Sequence, residues 1–214
     1  MSRTVTDVQR NAIFRMVDEV MAIMRDNKPF NPDSGVFGRI RSSESESGYP
    51  GARYSFKNVE IPPASIEFLT ESNPLDYSED GMQVPVVPIH FKLDFGPSIY
   101  GITEEILKER LDLADYWIDW DGTRQEGNVM PPAPGLLMKP YRYRARTHAD
   151  SRFPVDVEIV YGLPTGDEPK YMLSLMFLTI ERAYKPVTSD DRRRIREERE
   201  QRAHEIFSKP EAAK

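Results

Sequence analysis

Residues 141–180 read YRYRARTHADSRFPVDVEIVYGLPTGDEPKYMLSLMFLTI, and the fold turns on this stretch. Side chains alternate across a strand, so Tyr141, Tyr143 and Ala145 share one face while Arg142, Arg144 and Arg146 share the other. Val155–Tyr161 repeats the rule with opposite charge: Val155, Val157, Ile159 and Tyr161 point one way, Asp156 and Glu158 the other. Paired antiparallel, the two strands lay an arginine stripe beside an acidic one on the solvent side. Each opposite-charge cross-strand pair contributes roughly 0.2–1 kcal/mol, so the stripes fix register more than they supply stability.

The run Leu163-Pro164-Thr165-Gly166-Asp167-Glu168-Pro169 is a dense turn signal. Tyr171–Ile180 follows, apolar on both faces, as suits a central strand covered on two sides. A buried helix is the competing reading, because periodicity does not separate the two in so apolar a run. The prolines at 164 and 169 and the preceding hairpin favour the strand. Glu181 and Arg182 close the run well short of the roughly 20 apolar residues of a membrane-spanning helix.

Working toward the N-terminus, Pro131-Pro132-Ala133-Pro134-Gly135 is a loop, and Tyr116–Trp120 a short aromatic strand stopped by Asp121-Gly122. Before it, Thr103 is a good N-cap for a mid-chain helix, with Glu104 and Glu105 in the first turn and Ile102 and Leu107 at staple spacing. Ile106, Leu107, Arg110, Leu111 and Ala114 form its expected packing face. Ile89–Phe95 alternates cleanly: Ile89, Phe91, Leu93 and Phe95 face in, and Pro85 and Pro88 suggest the start of an edge strand. Arg53–Ile61 and Ser65–Leu69 read as short strands. Residues 27–52, rich in Ser, Gly and Pro, read as a surface loop or mobile segment. Their glycines lack the Gly-Lys-Ser/Thr ending of a phosphate loop. Thr6–Met24 is an amphipathic helix: Thr6 and Gln9 have capping-box spacing, and Val8, Ile13, Val17, Val20, Met21 and Met24 recur near helical spacing. At the other end, Thr188 or Ser189 caps a charged C-terminal helix in which acids and arginines balance.

The expected architecture is α+β: a mostly antiparallel β-sheet with an N-terminal amphipathic helix, a mid-chain helix and a charged C-terminal helix. Residues 1–187 form a single domain with a mobile loop near 27–52, and 188–214 the charged helix and tail.

The 214 residues suffice for a core without staples, and the absence of cysteine excludes disulfides, thiolate catalysis and cysteine metal sites. A net charge of −6 disfavours general nucleic-acid binding, which needs clustered Lys and Arg, and suits a basic protein partner. The N-terminus has no secretory-signal pattern, so the expected location is cytoplasmic if the chain is complete, periplasmic if a signal was removed. His90, His148 and His204 lie far apart in sequence, in no catalytic or zinc motif, and read as surface histidines. No cofactor, metal site or catalytic set is expected.

The most suggestive cluster is Trp117-Ile118-Asp119-Trp120-Asp121. Rings beside carboxylates suit a protein partner, a sugar or a cation; the plain alternative is a packed tryptophan beside a turn aspartate. Asp119, Asp121 and Glu126 lack the calcium-loop pattern. Three functions follow as expectations. The first is a non-catalytic protein-binding module, most concretely a bacterial immunity-type inhibitor of a toxin or secreted effector, with Trp117, Asp119, Trp120 and Asp121 as contacts. The second is a carboxylate-based enzyme acting on carbohydrate through Asp119 or Asp121. The third is a structural subunit of a phage or secretion assembly.

Overall fold

A computed structural model describes residues 3–45, 51–71, 87–119, 122–131, 137–163 and 173–183. Those residues form a mostly antiparallel sheet with two helices. The elements are β1 (Arg3–Thr4), α1 (Asp7–Met24), β2 (Arg39–Ser45), β3 (Gly51–Lys57), β4 (Ala64–Glu71), β5 (Val87–Tyr100), α2 (Glu104–Arg110), β6 (Tyr116–Ile118), β7 (Arg124–Glu126), β8 (Met138–Arg144), β9 (Val155–Gly162) and β10 (Ser174–Arg182). The main sheet runs β2-β3-β4-β5-β10-β9-β8, antiparallel throughout, with β1 added parallel to the end of β5. Strands β6 and β7 form a separate hairpin.

The decisive stretch folds as a meander. β10 lies between β5 and β9, and the arginine stripe of β8 sits opposite the acidic stripe of β9 as Arg142↔Glu158 and Arg144↔Asp156. The coverage of β10 differs from expectation on one side. Leu175, Leu178 and Ile180 are buried on the face toward α1. Met176 and Phe177 are only partly buried, and no helix among the described residues lies over them. Arg182, the last residue of β10, is buried. Its Nε donates to the Met24 carbonyl (3.0 Å) and its Nη2 to the Ile23 carbonyl (2.8 Å) and Asn27 Oδ1 (3.3 Å). It thereby serves the carbonyls that a helix C-terminus leaves without intrahelical partners.

The capping box at Thr6 and Gln9 starts α1. The helix buries Ala12, Ile13, Met16, Val17, Val20, Met21, Ile23 and Met24 against the sheet, whereas Val8 is 73 % exposed and outside the core. Thr103 caps α2, and Ile102 and Leu107 are both buried, but Ile106 faces solvent. Arg110 joins the helices through its ion pair with Asp18 and its position over the Phe14 ring.

β5 is an interior strand, not an edge. Pro88 is tolerated because it precedes the first β5–β10 pair, His90↔Glu181. The segment expected to be a loop over 27–52 contains β2, and its Phe37 is 0 % exposed at the centre of a ring cluster with Phe30, Phe56 and Phe68. Gly38 admits the turn into β2: its φ is +91°, and an added Cβ would lie 2.3 Å from the Lys57 carbonyl oxygen. At the β8–β9 end, Tyr141 stacks on Tyr143, and the Tyr143 hydroxyl donates to Glu104 at the start of α2. The Tyr161 hydroxyl is buried with no hydrogen-bond partner among the described residues. Burial pushes both the Tyr143 and Tyr161 phenols up. The expected C-terminal helix over 188–214 lies outside the described residues.

Candidate functional site

Both helices pack on one face of the sheet, and the opposite face carries the charge. Strand alternation and the observed registers set its side chains in rows. One row runs Glu44, Arg53, Leu69, His90, Glu181, Asp156, Arg144 from β2 to β8. The next runs Ser42, Ser55, Glu67, Lys92, Thr179, Glu158, Arg142. Most carboxylates meet a basic neighbour along the rows, as Glu44 meets Arg53, Glu67 Lys92, Asp156 Arg144 and Glu158 Arg142, but Glu181 and Asp156 stand side by side as two acids. His90 Nδ1 lies 2.8 Å from Glu181 Oε1, Lys92 Nζ 2.8 Å from Asp94 Oδ2, and Arg144 Nε 2.7 Å from Asp156 Oδ1.

The rows are not equally wet. Arg144 and Asp156 are each only 7 % exposed, and burial raises the Asp156 carboxyl against the opposing pull of Arg144 and Arg142. Burial likewise raises Glu158, countered by Arg142. Glu181 moves the other way, lowered chiefly by its hydrogen bond with His90. One sheet face thus holds carboxylates displaced in opposite directions by desolvation and by a partner.

At the β8 margin, the chain that precedes the hairpin and the chain that follows it both bond to β8. Ala114 N donates to the Arg144 carbonyl (2.8 Å), and Met130 N to the Pro140 carbonyl (2.9 Å). Between them β6 and β7 leave the sheet as a hairpin. The Asn128 side-chain amide bonds to the Arg142 carbonyl at 2.8 Å and reaches the Ala114 carbonyl at 3.5 Å, tying the two feet together. Each aromatic ring of β6 is backed by a guanidinium: Arg124 over Tyr116 at 3.8 Å and Arg142 over Trp117 at 5.0 Å. Such contacts hold a partly buried ring in one orientation for about 0.5–1 kcal/mol each.

Trp117 therefore sits at the end of a charged row, half-buried against Arg142. Asp119 closes the hairpin turn through its backbone: its N donates to the Thr123 carbonyl (2.8 Å), and its own carbonyl accepts from Gly122 N (2.9 Å). Trp120 and Asp121 lie outside the described residues. His90 is on the charged face, and His148, in the β8–β9 loop, has its Nε2 3.3 Å from Asp112. His204 lies outside the described residues. Among the described residues no three His, Cys, Asp or Glu side chains converge as metal ligands would. No described helix is long and apolar enough to cross a membrane.

No known protein family, curated protein or solved structure matches the chain.

The far end of the same face carries a feature that sequence reading missed. Ser42, Ser55 and Ser65, on three successive strands, are small where strands favour branched or aromatic side chains. They leave a hollow of about 550 Å³, bordered by Arg41, Glu67 and Asp94. Asp119 lines neither this hollow nor a smaller cleft of about 250 Å³ between Arg15, Ser34 and Glu60.

Proposed function

We propose that the chain is a non-catalytic protein-binding module, most concretely a bacterial immunity-type inhibitor that occludes a toxin or secreted effector. The supporting observation is the charged sheet face, free of helices among the described residues, with the Trp117 ring held on Arg142 at its margin. A ring already fixed by its neighbour loses little freedom on binding, and aromatic anchors of this kind dominate interface energies. Rows of fixed charge select partners by register, since a misplaced like charge is penalised. The net charge of −6 favours a basic protein over a nucleic acid, whose phosphates the face's carboxylates would repel. Asp119, Trp120 and Asp121 complete the proposed contact set.

The full chain, immobilised as bait in lysate of its source cell, tests this. The expected result is one stoichiometric protein partner whose toxicity is relieved by co-expression of the chain. Trp117→Ala, with an unchanged melting temperature, weakens capture by about 2 kcal/mol or more. Absence of a partner, or capture indifferent to Trp117→Ala, refutes the reading.

A further inference from the structure

We infer that Arg142 is the positioning residue for the Trp117 ring and that Glu158, opposite it on β9, sets its grip, so that the ring is held at neutral pH and released in mild acid. The inference rests on the binding-module reading above and names what regulates its anchor. The backbone of Arg142 is clamped: its N donates to the Asn128 carbonyl (2.9 Å), and its carbonyl accepts from Asn128 Nδ2 (2.8 Å). The side chain therefore leaves a fixed point on the charged face. It meets Trp117 of β6 with its guanidinium 5.0 Å from the ring centroid, and it meets the carboxylates of β9 across the strand pair. Arg124, the other guanidinium of the hairpin, lies over Tyr116.

The carboxylates beside Arg142 are not equivalent. Asp156 has Arg144 at 2.7 Å and lies 3.6 Å from Arg142. Glu158 is the cross-strand partner of Arg142, and Arg142 is the cation that counters its burial. On β10, Glu158 faces Thr179 and feels Glu181; beyond them on β5 stand Lys92, opposite Thr179, and His90, bonded to Glu181. Burial and the neighbouring Glu181 both favour the protonated form of Glu158, so it takes its proton before an ordinary carboxylate would. Neutralising it removes an attraction that draws the guanidinium onto the sheet, at the point where Trp117 packs on it. The Arg142 side chain, 29 % exposed, then turns to water and the ring loses its backing.

The test uses the full chain carrying Trp120→Phe, which leaves Trp117 as the one tryptophan of the sequence. Acrylamide quenching of its fluorescence is followed between about pH 8 and pH 4, with circular dichroism to separate release of the ring from unfolding. Quenching is expected to rise in acid with a midpoint above the ordinary glutamate value of 4.5. The ratio of released to held ring should change about two- to fivefold, the worth of one cation–π contact. In Glu158→Gln and Arg142→Met the ring is quenched at the high level throughout and the pH step is lost. Arg142→Lys keeps the charge and retains part of the step. A flat profile in the parent, or the same step in Glu158→Gln, overturns the assignment. An absent step while Trp117→Ala still abolishes capture removes the role of Arg142 alone. A Glu158-dependent step without Trp117-dependent capture keeps that role and removes the binding reading.

Discussion

Arg182, near the end of the central strand, donates from Nε to the carbonyl of Met24, the last residue of α1, across 3.0 Å. The strand thereby caps the helix that lies on it, and Phe153 closes over the guanidinium at 3.8 Å. Arg182→Met strands the Ile23 and Met24 carbonyls in a buried setting. A loss of about 3 kcal/mol in urea unfolding is expected, since hydrogen bonds from a charged donor are costly to remove. Arg182→Lys keeps the charge without the planar fork and recovers only part of it.

Phe37→Ala should cost roughly 3–5 kcal/mol, the range for emptying a buried aromatic site. The neighbouring Ser34→Ala should stay within about 0.5 kcal/mol, as exposed substitutions do. Equal effects in equilibrium unfolding would show that the segment before β2 does not anchor the core.

Glu181 and Glu158 give opposite pH signatures. The Glu181 carboxyl is held below its ordinary value of 4.5, so its stabilisation is present above that pH and is lost as pH falls through the folded value. Glu181→Gln is therefore less stable than the parent at neutral pH, and the gap closes in acid. The Glu158 carboxyl is held above 4.5, so the folded chain keeps its proton longer than the unfolded one and stability falls as pH rises through that window. Glu158→Gln gains on the parent over the same rise. Denaturant midpoints between about pH 3 and pH 8 measure both, and parallel trends would contradict the assigned environments.

The buried tyrosines form a contrasting pair. Tyr161→Phe removes a hydroxyl without a partner among the described residues and should be neutral or stabilising by up to about 1 kcal/mol. Tyr143→Phe removes the donor to Glu104 and should cost about 1–2 kcal/mol. Thermal melts of the two variants should shift apart.

The meander was legible because its signals are local: alternation every second residue in Tyr141–Thr147 and Val155–Tyr161, with proline turns around them. β2 was not, because Arg41, Ser42, Ser43 and Glu44 have little strand preference and are held by pairing with β3. β5 was misread as an edge because a proline marks only where pairing begins, not how many neighbours follow. Trp117 and Asp119 stood out in sequence, but Arg142 behind Trp117 did not. The row that links Ser42 to Arg142 depends on strand order, and strand order is set by pairings such as His90 with Glu181 that no local pattern records.

Asn128 binds both feet of the β6–β7 excursion to the margin of β8, so the excursion is anchored independently of its own turn. A lineage can therefore lengthen, shorten or recompose the turn between Ile118 and Arg124 without re-registering the sheet. Sequence is thus free to diversify there while the scaffold beneath it stays constant.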